Sequence, residues 1–137
     1  MNIQSAVIEG TNILKGSCVQ TAQLDTEILM AKVLGSKREY IILNNQKDLN
    51  DNNLEYFKRL IKERANRKPI AYLLNKKFFW DSEFYVNKNT LIPRPDTEVI
   101  IEEILRLTKH KNKLNILDIG IGSGCILLTI LKERKNF

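Results

Sequence analysis

Gly120, Gly122 and Gly124 alternate with Ile121 and Ser123, directly after an apolar segment (Leu114, Ile116, Leu117, Ile119) and directly before the apolar run Cys125 to Leu131. Glycine tolerates left-handed backbone and leaves the main chain bare for a ligand. An apolar run with few interruptions reads as a buried strand, and the run after the loop reads as a helix. The unit is therefore strand, loop, helix, with the free N–H groups of the helix aimed at the loop, where they favour an anionic group. The loop lacks the glycine-lysine and hydroxyl residue of a P-loop. A dinucleotide fingerprint asks for glycine or alanine three places after Gly122, and Cys125 stands there. The spacing from Asp118 to Gly124 is D-x-G-x-G-x-G. Taken alone, such a loop is also compatible with a turn that holds no ligand.

The first seventy or so residues read as helices. Ile3, Val7, Ile8 and Leu14 form a loose helical stripe. A clearer one runs from Gln20 to Leu34 through Leu24, Ile28, Leu29, Ala31 and Leu34, with Gly35 placed to close it. Ser36 and Glu39 have capping-box spacing ahead of Tyr40–Leu43. After the polar break NNQKDLNDNN, Leu54, Phe57, Leu60, Ile61 and Ala65 mark another buried face. Pro69 suits the first turn of a short helix to Leu74. The pattern then changes. FFW and FYV, separated by Asp81-Ser82-Glu83, suggest a hairpin, with Asn75 supplying a turn before it. Pro93 and Pro95 force an extended entry around Arg94. Asp96 or Thr97 can cap the next helix, whose apolar residues are Val99, Ile100, Ile104, Leu105 and Leu107.

Composition excludes several classes. The 137 residues are 43% hydrophobic and 28% charged, an ordinary globular balance. No apolar run approaches a bilayer span, and MNIQSAVIEG lacks the features of a signal peptide, so a cytoplasmic location is expected. Cys18 and Cys125 stand far apart and suggest no metal site; both are expected to be reduced thiols with packing roles. His110, in KHKNK, is expected to be a solvated linker residue. The net charge of +6 is spread over short clusters such as KRE, KER, NRK and NKK, so direct nucleic-acid binding is not expected.

D-x-G-x-G-x-G resembles the first motif of S-adenosylmethionine-dependent methyltransferases. NTLIPRPDTE ahead of ILDIGIGSG, with FFW and FYV before it, is more specific. Together with Asp25, Glu27-Ile28-Leu29, Leu34-Gly35, Arg38 and RANRKPIAYL, it makes nearly the whole chain resemble the HemK/PrmC family of glutamine N5-methyltransferases. Asn75 replaces a usual glycine. The resemblance implies a helical domain that grips a peptide chain release factor (residues 1–75), a β-hairpin linker (76–93), and the first strand, loop and helix of a Rossmann-like methyltransferase domain (94–137). The implied product is a methylated side-chain amide on the glutamine of the release factor's Gly-Gly-Gln motif, made by a monomeric enzyme. Related enzymes acting on a ribosomal protein carry serine after the arginine of the proline loop, so Arg94-Pro95 favours the release-factor branch. Asp118, Gly120, Ile121, Gly122, Ser123 and Gly124 become the expected cofactor residues, and Leu91, Arg94 and Thr97 border the pocket.

An amide nitrogen is a poor nucleophile, and it must be aligned with the sulfonium methyl while both of its N–H groups are hydrogen-bonded. The family uses Asn-Pro-Pro-Tyr for this, and that motif does not occur in these 137 residues. No catalytic residue is therefore assigned. The chain is expected to be a truncated, inactive portion of such an enzyme, or else a helical module that binds release factor or RNA.

Overall fold

The computed structural model describes residues 1–111 and 113–134, which separate into two compact units at Leu74/Asn75. The first unit holds helices α1 (Ile3–Gly16), α2 (Ala22–Val33), α3 (Arg38–Leu43), α4 (Asp51–Ala65) and α5 (Ile70–Leu74). Asparagines start two of them. The Asn2 and Asn50 side chains accept the Ser5 and Asn53 N–H groups, each at 2.8 Å, which satisfies donors that have no partner within the helix. The chain start is tied down by Ile3 N–H to Lys47 O and Leu49 N–H to Met1 O, both 3.0 Å.

Helix α2 is central, packing against α1, α3, α4 and α5. Leu14, Leu29, Met30, Phe57 and Ile61 are fully buried around it. Burying such side chains is worth about 1.5–3 kcal/mol each, against an ordering cost of about 1–2 kcal/mol per residue. Ile8, expected on the inner stripe, faces solvent, and Ala6, Gly10 and Thr11 take the buried places. Gly10 permits close packing: a Cβ there would meet Thr26 Cγ2 at 3.0 Å and the Ile61 and Phe57 side chains at 3.1 Å. Gly10→Ala is therefore expected to lower stability by about 1 kcal/mol, because an overpacking cost of about 1–3 kcal/mol exceeds a helix-propensity gain of about 1. A chemical melt of the variant checks this, and a rise in stability would show that the neighbours yield freely.

Gly35, at φ +58°, ends α2 as expected. Its N–H reaches Lys32 O at 3.2 Å and the Ser36 N–H reaches Ala31 O at 3.0 Å, the paired bonds of a Schellman motif. That engagement overturns the capping box: Lys37 occupies the cap of α3, no side chain caps it, and the buried Ser36 hydroxyl has no partner. Cys18 is likewise exposed, at φ +54°, and has no packing role; Cys125 is buried.

The second unit contains strands β1 (Lys76–Phe79) and β2 (Ser82–Tyr85), a 3₁₀ turn (Pro95–Thr97), and helices α6 (Glu98–Leu107) and α7 (Cys125–Glu133). The strands pair antiparallel, with Lys76 opposite Tyr85 and Phe79 opposite Ser82. Asn75 adopts φ +58° at the entry, and its carbonyl accepts the Val86 N–H at 3.3 Å. The turn falls at Trp80-Asp81, one residue earlier than FFW and FYV suggested, so Ser82 and Glu83 belong to β2. Phe79 and Phe84 share the inner face and meet edge to face, 6.2 Å between centroids.

Helix α6 buries Ile101 completely, with Ile104 and Leu105 partly covered, while Val99, Ile100 and Leu107 are exposed. The face is rotated from the expected one because α6 begins after the 3₁₀ turn. Neither Asp96 nor Thr97 makes a side-chain cap bond.

Candidate functional site

The segment leading into the glycine loop alternates: Leu114, Ile116 and Asp118 are half-buried, whereas Asn115, Leu117 and Ile119 are exposed. That is the two-residue period of an extended chain. Leu117 is 83% exposed and Ile119 88%. The expected strand buried on both faces is therefore not formed. One face packs, through Ile116, on the cluster of Phe79, Phe84, Ile101, Cys125 and Ile130, and residues 113–118 join no ladder among the described residues.

Gly120, Gly122 and Gly124 adopt φ +84°, +56° and +78°. Any other residue would bear the left-handed cost of about 1–2 kcal/mol. The Gly124 N–H bonds Ile121 O at 2.8 Å, and Gly124 O accepts the Leu128 N–H at 2.9 Å as the first bond of α7. No side chain caps α7, so its first-turn N–H groups remain available to a ligand. A Cβ at Gly120 would meet nothing within 4 Å, and one at Gly122 would meet only Gly120 O, at 3.8 Å. The backbone is thus bare with open space over Gly120 and Gly122, as a ligand loop requires, whereas a Cβ at Gly124 would meet the Leu128 side chain at 3.2 Å. One oxygen of Asp118, Oδ2, is shielded from solvent and has no hydrogen-bond partner. A ligand carrying an anionic group and hydrogen-bond donors, such as an amino acid, suits this set.

The other expected pocket residues, Leu91, Arg94 and Thr97, lie in and beside the proline segment that leads into α6. Leu91 and Arg94 are exposed and Thr97 is half-buried, its N–H bonded to Arg94 O at 3.0 Å. Among the described residues no hydrogen bond or ion pair links Leu91, Arg94 or Thr97 to Gly120–Gly124, and Arg94 forms no salt bridge with Asp96 or Glu98. His110 is exposed.

A set of polar contacts around the hairpin turn carried no periodicity that could have announced it. Glu98 accepts the Trp80 backbone N–H, and Glu133 accepts its indole N–H, both at 2.8 Å. Lys132 reaches Asp81 and the Ser82 hydroxyl, each at 2.9 Å. The Lys132 ammonium, then the Ser82 hydroxyl, hold the Asp81 carboxyl below its ordinary value. A lowered folded value means that the contribution is present above the ordinary carboxylate range and is lost as pH falls through the folded value. Carboxyl-carbon titration by NMR should therefore place Asp81 lower in the native chain than in Lys132→Met. Coincident curves would show that the ion pair is not populated.

In the helical unit, a cavity of about 290 Å³ opens between α1 and α4. Ala6, Gly10, Ile13, Leu54, Phe57 and Ile61 line it, with Glu9, Lys58 and Lys62 also at its wall. Among the described residues, no group of three or more His, Cys, Asp or Glu could hold a metal ion, and no helix is long and apolar enough to cross a membrane.

Comparison with known proteins matches residues 5–74 to the family model described as the PrmC N-terminal domain. Curated relatives named release factor glutamine methyltransferase are similar along most of the chain. The one from Leptospira interrogans serogroup Icterohaemorrhagiae serovar Lai is 36% identical over 99% of this chain and 48% of its own length. That from Clostridium botulinum is 37% identical over the same shares, 99% and 48%. That from Geobacter sulfurreducens is 42% identical over 86% of this chain and 41% of its own. The chain spans about half the length, or slightly less, of these relatives.

Proposed function

Because the chain belongs to the PrmC N-terminal domain family, we propose that it is part of an S-adenosylmethionine-dependent enzyme that methylates the glutamine amide of a peptide chain release factor. The observation that carries the proposal is the bare loop Gly120–Gly124, with three left-handed glycines beneath an uncapped helix. Bound there, S-adenosylmethionine supplies an electrophilic methyl group. Gly120, Ile121, Gly122 and Ser123 would face its amino-acid end, the N–H groups of α7 would favour its carboxylate, and Asp118 would offer an unused acceptor for its ammonium. The names of the relatives support the release factor as substrate. Asn-Pro-Pro-Tyr, which the family resemblance assigns to orienting the amide, is not among these 137 residues, so catalysis belongs to an enzyme of the relatives' length. The soluble-monomer organisation and the Rossmann-like continuation of residues 94–137 are parts of the same proposal.

A second reading is favoured by the apolar cavity between α1 and α4, whose wall includes Lys58 and Lys62: the helical unit by itself binds the release factor. One experiment addresses both. A protein extended to the relatives' length should transfer labelled methyl from S-adenosylmethionine to a release factor, and not to one whose Gly-Gly-Gln glutamine is replaced. Equal labelling of the two substrates would end the assignment. An excess of residues 1–74 in the same assay should raise the substrate KM if the helical unit binds by itself, and should leave it unchanged if it does not.

A further inference from the structure

Among the described residues at positive φ, Trp80, at +57°, has the least glycine-like side chain. A bulky residue in that region is a genuine outlier, held only when its surroundings over-determine it. The Trp80 backbone N–H is taken by Glu98, the first residue of α6, and its indole N–H by Glu133, the last residue of α7. From the other side Lys132 of α7 returns to Asp81 in the same turn and to Ser82 at the start of β2. Four polar contacts thus tie three consecutive residues of the hairpin to two helices. Phe79 and Phe84 also pack together as rings.

We propose that Trp80 is a positioning residue for the glycine loop: through Glu133 and Lys132 the hairpin turn fixes the C-terminal end of α7, and α7 carries that constraint to Gly120–Gly124. The transmission is short. Nine helical residues span about 12 Å, and a continuous helix moves as one piece. At its other end Gly124 O accepts the first intrahelical bond and the Gly124 N–H closes the turn from Ile121. A slide or rotation of α7 must therefore displace the loop. The neutral indole donor suits the task because its bond to Glu133 is directional; that bond and the Lys132–Asp81 pair are both exposed, and they constrain α7 together. The loop's ligand, S-adenosylmethionine, comes from the proposed function, and the bracket itself does not depend on it.

Amide hydrogen exchange of the 137-residue chain tests the idea, with Trp80→Phe, which keeps the ring and loses the donor, and Glu133→Ala, an exposed change that leaves the hairpin core intact. The expected result is exchange at least about tenfold faster at Gly124 and Leu128, whose N–H groups are bonded to Ile121 O and Gly124 O. Phe79 and Phe84 should keep native rates, and Glu133→Gln, which retains an acceptor oxygen, should restore protection. Unchanged loop exchange in both Trp80→Phe and Glu133→Ala, or equal acceleration at Phe79 and Phe84, overturns it. A protein extended to the relatives' length is titrated with S-adenosylmethionine in a parallel series. If the exchange pattern holds but the loop resonances of that longer protein do not respond to the ligand, the bracket stands and the cofactor reading fails.

Discussion

Asp25→Ala is expected to lower the stability of the helical unit by about 3–5 kcal/mol, the usual result of removing one partner of a buried ion pair. Asp25 lies in the first turn of α2, where a negative charge also suits the helix end. Its side chain is 5% exposed and accepts from Arg64 Nε at 2.7 Å, and the Arg64 side chain is itself only 17% exposed. Without Asp25 the guanidinium keeps one recorded bond, to Lys68 O at 3.2 Å, and a desolvated charge. For a unit of this size, about 4–8 °C of melting temperature goes with each kcal/mol, so the transition should fall by more than about 12 °C. Asp25→Asn, which keeps an acceptor, should lose less. Glu103→Ala, which breaks the exposed pair with Arg106, should cost under about 1 kcal/mol. The measurement is thermal unfolding followed by far-ultraviolet circular dichroism. A loss below about 1 kcal/mol for Asp25→Ala would mean that water solvates Arg64 as well as the carboxylate does.

Titrating the 137-residue chain with S-adenosylmethionine is expected to give no saturable heat in the micromolar range. The loop has the right backbone, but the segment that should hold it is covered on one face only, and Leu117 and Ile119 are left in solvent. Ordering Gly120 to Gly124 on binding costs about 1–2 kcal/mol per residue. Over the loop that is roughly 5–10 kcal/mol, comparable with a whole micromolar binding free energy of about 8 kcal/mol. Isothermal calorimetry decides: one-to-one micromolar binding would show that the loop is already held firmly.

Local chemistry was readable in the chain where it is self-contained. Gly35 and Asn75 had to accept positive φ, and do. Leu54, Phe57, Leu60, Ile61 and Ala65 recur at helical steps because a single face of α4 meets the core. The glycines of the candidate site were legible for the same reason, since their spacing alone demands unusual backbone. What failed depended on neighbours. Ser36 looks like a helix starter until its N–H is engaged by the end of α2. Val99 and Ile100 look interior until the 3₁₀ turn sets the phase of α6 and turns Ile101 inward. Trp80 looks like a strand residue until two glutamates from distant helices hold it in a turn. Leu91, Arg94 and Thr97 rested on resemblance, and no local pattern specifies what they touch.

The division at Leu74 also has a temporal meaning. All five helices of the first unit, with their core, lie before Asn75, so nothing they need is still to be made once Leu74 has cleared the ribosome. The 45 residues between Leu74 and Gly120 take about 2–9 s to synthesise at about 5–20 residues per second. Helical units rich in near-neighbour contacts fold in microseconds to milliseconds. The bundle is therefore complete on the nascent chain, with its apolar cavity already formed, before the glycine loop has been translated.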